Sequence, residues 1–188
     1  MMSSSSENQF DLLVSASNAL KGDYARDEEV WEGSPFQWMI SLPSRSKGAY
    51  AEALISSWLA SNGMQVARSP DSEADRIVEG VRVEIKSSTL WAGGAYRFQQ
   101  LRDQNYQIVL CLGLSPFEAH LWAIPKEVVI AGWGSYEGLT SQHGGKSGTD
   151  TAWLHVDPTS VPSWLQEFGG SLTEGLEKLT NKLNELRS

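Results

Sequence analysis

The sequence predicts one α/β domain: a mixed central sheet that carries a charged hairpin and is flanked by helices. Three stretches carry that prediction. Residues 47–61 place Ala51, Leu54, Ile55, Trp58 and Leu59 at i, i+3, i+4, i+7 and i+8, the spacing of one helix face. Residues 81–86 alternate, with Val81, Val83 and Ile85 on one side and Arg82, Glu84 and Lys86 on the other. Residues 107–114 (QIVLCLGL) are apolar on both faces, as a strand in the middle of a covered sheet must be.

The remaining elements follow in order. Residues 1–8 read as a frayed tail, 10–20 as a short helical stretch, and 23–37 as an acidic segment without a clear period. Pro43-Ser44-Arg45-Ser46 is a loop, with Ser46 the expected N-cap of the 47–61 helix and Asn62-Gly63 its C-terminal stop. Short strands are expected at 64–68, 75–78 and 81–85, the last two joined by Glu79-Gly80 as a tight turn. Residues 119–124 pair with the buried strand, and Pro125 opens a helix through residue 130. The glycine-rich stretch 132–148 is expected as a long loop and 152–156 as a late strand. At the end, Leu172, Leu176, Leu179, Leu183 and Leu186 mark an amphipathic helix over 171–187. Its seam is too short for a coiled coil, so packing on the parent domain is expected, with a share in a dimer as the sharper alternative.

Composition narrows the function. The 188 residues suit one domain with a proper core, and 40% hydrophobic with 20% charged is ordinary globular composition. No apolar run approaches the ~20 residues of a membrane helix, and the start shows no signal-peptide core. A single cysteine, Cys111, excludes an internal disulfide framework and predicts a cytoplasmic protein; with three scattered histidines, a Cys/His zinc site is not expected. The net charge is −8, carried as −5 over residues 1–40, +1 over 41–110 and −4 over 111–188. The near-neutral middle segment becomes basic once a few of its acids serve as metal ligands.

The chemistry lies in that segment. A turn at Glu79-Gly80 pairs Val78 with Val81 and therefore Asp75 with Glu84. Directly opposed residues have Cβ atoms roughly 5 Å apart. Two carboxylates that close repel unless a cation lies between them, and Mg²⁺ is the hard cation that takes carboxylates, water and phosphate together. Lys86 then stands beside the metal, about 7 Å along the strand from Glu84. Asp71, Glu73 and Asp75 compete for the ligand position: the two-residue turn favours Asp75, and a bulge at Gly80 would shift the pairing by one.

Asp75 and Glu84-Ile85-Lys86, with Pro70-Asp71 just upstream, resemble the PD-(D/E)xK nuclease superfamily, best known from type II restriction endonucleases. The helix with Glu52 is similar to the family's first core helix, which often carries an active-site glutamate. Phe98-Gln99-Gln100-Leu101-Arg102 and Tyr106 precede the apolar strand, as in many restriction-type members. The resemblance spans residues 44–130. It implies a restriction-endonuclease-like core and Mg²⁺-dependent hydrolysis of a specific double-stranded DNA sequence, leaving 5′-phosphate and 3′-hydroxyl ends. Asp75, Glu84 and the Ile85 carbonyl would hold the metal, Lys86 would position or activate the attacking water, and Glu52 would assist. A homodimer on a palindromic site is expected, since two-fold DNA sites are matched by two-fold proteins.

Arg45, Lys47, Ser87, Ser88, Gln99, Gln100, His143 and Lys146 are the side chains expected against DNA. Trp91 lies within reach of substrate, whereas most of the eight tryptophans, Trp58 first among them, are expected in the core. Gly144-Gly145-Lys146-Ser147 lacks both the first glycine and the preceding strand of a phosphate loop, so no nucleotide cofactor is expected. Two other functions compete. A repair or junction nuclease of the same fold is usually basic, unlike this chain. A non-catalytic DNA-binding subunit has no use for Glu52, Asp75, Glu84 and Lys86 together.

Overall fold

The computed structural model describes residues 10–18 and 28–188. The expected tail (1–8), Leu20 and residues 23–27 of the acidic segment lie outside the described residues. Residues 10–18 form helix α1; α2 is Gln37–Ile40 and α3 is Ser44–Ser61. Then come β1 (Val66–Arg68), β2 (Arg76–Val78), β3 (Val81–Thr89), β4 (Tyr96–Leu101), β5 (Ile108–Leu114) and β6 (Ala119–Pro125). Helix α4 (Lys126–Ala131), β7 (Leu139–Ser141), β8 (Ala152–Val156), α5 (Ser163–Gln166), β9 (Gly169–Ser171) and α6 (Leu172–Arg187) complete the chain.

A six-stranded mixed sheet of order β1-β2-β3-β5-β6-β9 forms the centre, with β3 and β5 parallel and the other pairs antiparallel. One face carries Val83, Ile108, Leu110 and Leu121 against Ile55 and Leu59 of α3 and Leu179 and Leu183 of α6. The opposite face, with Val109, Cys111 and Trp122, packs on Tyr96, Phe98 and Leu154 of a second, three-stranded sheet of order β4-β8-β7. Every residue of β5 is therefore buried, which is why its sequence is apolar throughout.

Helices flank one face as expected, but the other is covered by β4, β7 and β8. The alternation of β4 is broken by a bulge between Phe98 and Leu101, where Gln100 adopts φ +58°. That extra residue turns both Phe98 and Leu101 inward at a spacing of three, so the stretch shows no period of two. The expected 132–148 loop likewise contains β7, whose Leu139 is buried. The helix expected from residue 47 starts three residues earlier, because Pro43, at φ −56° and ψ 145°, already stands at the N-cap position, and no side chain caps this end. Of its stripe, Ala51, Ile55 and Leu59 are buried, Trp58 is half-buried and Leu54 is exposed.

Helix α6 begins with a capping box. Ser171 Oγ accepts the Glu174 N–H at 3.2 Å and Glu174 returns a bond from the Ser171 N–H at 2.8 Å. Leu179 and Leu183 are buried and Leu172 and Leu176 pack beside them, so the leucine seam is spent on the parent sheet and only Leu186 stays exposed. Gly175 lets this helix lie directly on β6. A Cβ there would meet the Leu121 carbonyl oxygen at 2.5 Å and the Leu121 Cβ at 2.6 Å. Gly→Ala within a helix ordinarily stabilises by up to ~1 kcal/mol. Here Gly175→Ala is expected to cost about 1–3 kcal/mol instead, measured by urea unfolding, because backbone must move. A gain in stability would show that α6 is not seated on β6.

Candidate active site

The β2–β3 hairpin turns on Glu79 (φ +51°) and Gly80 (φ +84°), the two positive values of a tight two-residue turn. Glu79 is an uncommon residue at such a φ, and its carboxylate is held by the Gln65 N–H at 2.7 Å and by Arg187 at 3.2 Å. Val78 pairs with Val81 and Arg76 with Val83, with no bulge at Gly80. The Asp75 N–H donates at 3.1 Å to the carbonyl of Val83, the residue already paired with Arg76. The regular ladder therefore ends at Arg76, and the chain bends at Asp75 instead of pairing it with Glu84 as expected. The Asp75 carboxyl nevertheless lies beside that of Glu84.

β2 ends at Arg76, whereas β3 continues for six residues beyond Val83. The far half of β3 thus pairs with β5 on one side and is open on the other. On that open side the Ile85 N–H donates to Asp75 Oδ2 at 2.7 Å. In a strand the N–H and C=O of one residue point the same way, so the Ile85 carbonyl faces the open side too. Glu84 and Lys86 share a sheet face; Glu84 Oε1 lies 2.7 Å from Lys86 Nζ, and the Glu84 side chain is only 9% exposed. Burial raises the Glu84 pKa above its ordinary value, Lys86 offsets part of that, and the adjacent Asp75 carboxyl raises it again.

Arg76 joins helix to hairpin. Its guanidinium forms an ion pair with Glu52, donates to Ser56 Oγ at 3.1 Å and reaches the Asp75 carbonyl at 2.8 Å. Glu52 therefore lies near Asp75, and its pKa is raised, first by burial and also by Asp75, with Arg76 opposing. Among the described residues, no three Asp, Glu, His or Cys side chains converge on one point. The oxygen donors at the open edge are thus two carboxylates and one main-chain carbonyl. The other two acids that compete with Asp75 are engaged elsewhere: Asp71 pairs with Arg82, and Glu73 accepts the Asn105 N–H at 3.2 Å.

Beyond Lys86 the open edge widens into a cleft of about 330 Å³ between the start of α3 and β4. It brings together Lys47, Ser87, Ser88 and Gln99 of the residues expected against DNA. Arg45 and Gln100 are exposed but do not line it, and His143 and Lys146 lie on the loop after β7. That loop is tied by Asp150, which accepts the N–H groups of His143 and Gly145 at 2.9 Å and the Ser141 hydroxyl at 2.6 Å. These bonds hold the Asp150 carboxyl well below the usual carboxylate range. Sequence reading missed Arg76 and Arg97, and it named Tyr106 only as part of the family resemblance. The Tyr106 hydroxyl is buried with no hydrogen-bond partner among the described residues, and its pKa is raised first by burial and then by nearby Glu84. No local pattern signals Arg76 or Arg97.

No helix among the described residues is long and apolar enough to cross a membrane. No family model matches the chain, and no curated protein matches it. Among solved structures it is similar to that of a bacterial homing endonuclease, I-Ssp6803I, at 15% identity and a TM-score of 0.47, over 76% of this chain and 98% of that one. At that distance the endonuclease activity is a property of the other protein.

Proposed function

We propose that the protein is a Mg²⁺-dependent DNA endonuclease that hydrolyses phosphodiester bonds at a specific double-stranded site, as a type II restriction enzyme does, and acts as a homodimer. The observation that carries this reading is the juxtaposition of Asp75 and Glu84 at the open edge of β3, with Lys86 bound to Glu84 at 2.7 Å. The donor set fits the metal: two carboxylates and the Ile85 carbonyl are hard oxygen ligands, and a buried Glu84 beside Asp75 is the arrangement a divalent cation relieves. Mg²⁺ held there would supply an acidified water and charge neutralisation at the phosphate.

The chain's own groups do the rest. Asp75 is fixed by the Ile85 N–H, so one of its oxygens is committed to the backbone. Lys86 presents its N–H donors where negative charge grows on the attacked phosphate. Glu52 orients solvent only when it leaves Arg76, which makes it an assisting group. Lys86→Ala should lose cleavage and keep metal binding, since the lysine is not a ligand.

Incubation with plasmid DNA with and without Mg²⁺ tests the reading: discrete fragments only with metal support it, structure-dependent nicks favour the repair class, and no cleavage overturns it. A second measurement separates binding from cutting. A phosphate must approach an acidic pair inside a chain of net charge −8. DNA affinity is therefore expected to be weak in chelator and to rise at least ten-fold when Ca²⁺ is supplied at fixed ionic strength, with little cleavage. Asp75→Asn should reproduce part of that rise without metal. Equal affinity in all three conditions would mean that these acids do not face the phosphate.

A further inference from the structure

The cleft beyond Lys86 has a chemistry that cleavage alone does not explain. Among the described residues that line it none is acidic, in a chain of net charge −8. Lys47 and Arg97 supply two cations, Ser44 and Ser87 hydroxyls, and Gln99 an amide. Trp91 forms its outer wall and is 45% exposed, a large apolar surface to leave in water. The Arg97 guanidinium lies 4.1 Å from the centre of the Trp91 ring, covering one of its two faces.

Both residues are held in place. They flank a short turn closed by the Trp91 N–H to the Ala95 carbonyl at 3.1 Å and by the Gly94 N–H to the Trp91 carbonyl at 2.8 Å. The Arg97 N–H donates to Ser88 Oγ at 2.9 Å, which anchors β4 to β3 two residues past Lys86. Trp91 also borders an apolar groove formed with Val30, Ile40, Leu90 and Pro116.

A flat aromatic surface next to cations and hydroxyls complements a nucleotide: the base stacks on the ring and the phosphate meets the cations. Size decides which form of DNA enters. A cleft of about 330 Å³ is at the small end of ligand pockets, room for one nucleotide and not for a duplex. We propose that Trp91 stacks a single base displaced from the helix beside the attacked bond, with its phosphate on Lys47. Within the double-stranded site the nucleotide at that position is then extruded on binding, and a bulge placed there tightens binding because the cost of unpairing is already met. This rests on the endonuclease reading for the identity of the ligand as DNA.

The test uses the full chain in Ca²⁺ and two probes: a paired duplex, and the same duplex with a one-nucleotide bulge that carries 2-aminopurine. Loss of one base stack weakens binding roughly 5- to 150-fold. The wild type should therefore prefer the bulged probe at least five-fold and quench its 2-aminopurine emission. Trp91→Ala should bring the affinity ratio close to one and abolish the quenching, and Trp91→Phe should retain part of both. Equal preference and equal quenching in wild type and Trp91→Ala would overturn the proposal, as would a wild type that binds both probes alike or binds neither. The two readings fail separately. Trp91-dependent binding without plasmid cleavage in Mg²⁺ would sink the nuclease reading and keep the base-stacking site; cleavage with no Trp91-dependent preference would do the reverse.

Discussion

Asp75→Asn and Glu84→Gln are each expected to slow plasmid cleavage about 10³-fold or more and to leave the fold intact. Each substitution removes one ligand charge at nearly constant shape. The Asn side-chain oxygen can still accept the Ile85 N–H that Asp75 Oδ2 holds at 2.7 Å, so the hairpin keeps its closing bond. Truncation is a poorer test. From sequence, removing either close carboxylate should leave the metal-free protein as stable or more so, because repulsion is relieved. The structure corrects this for Asp75: Asp75→Ala orphans a backbone N–H and should cost about 1–3 kcal/mol. Glu84→Gln removes a charge that burial already disfavours, so its melting temperature in chelator should hold or rise. Cleavage within ten-fold of wild type in either variant would remove that residue from the site. A steep fall in melting temperature for both would make them structural groups.

The parts of this site that were legible in the sequence are those fixed by short-range geometry. The alternation of residues 81–86 and a two-residue turn are local signals, and together they fix the hairpin as far as Arg76 opposite Val83. The bend at Asp75 that follows, which still leaves its carboxyl beside Glu84, was not legible. The doubly apolar run at 107–114 gave the central strand for a similar reason: few other environments suit such a run. The second sheet was hidden because the bulge at Gln100 interrupts the period on which strand reading depends. The Glu52–Arg76 pair was hidden for another reason. It joins a helix to a strand 24 positions later, and either side chain alone reads as an ordinary surface charge. Trp91 was legible as a position near the site, but its pairing with Arg97 across a turn was not.

Lys86→Met is the substitution expected to change stability most at this site, and the effect should depend on pH and on metal. Met keeps much of the apolar stem but leaves Glu84, 9% exposed, without the ammonium 2.7 Å away. Removing one partner of a buried pair costs about 3–5 kcal/mol; the low end applies here, because Lys86 is 21% exposed and Glu84 can take up a proton instead. The sign with pH follows from that proton. Unfolded, Glu84 ionises near its ordinary value of 4.5; folded, it holds its proton to higher pH. Between those values the native state binds more protons than the unfolded one, so stability falls as pH rises. Loss of Lys86 raises the folded value further and widens this window. In chelator, the gap in unfolding free energy between wild type and Lys86→Met should be small at pH 4.5 and grow toward neutrality. A divalent cation should then close much of the gap, because it binds the native carboxylates and restores the missing positive charge beside Glu84. A gap that stays constant across pH and is untouched by Mg²⁺ would mean that Lys86 contributes packing alone. The electrostatic coupling of Glu84 to its lysine, and with it the assigned metal position, would then have to be given up.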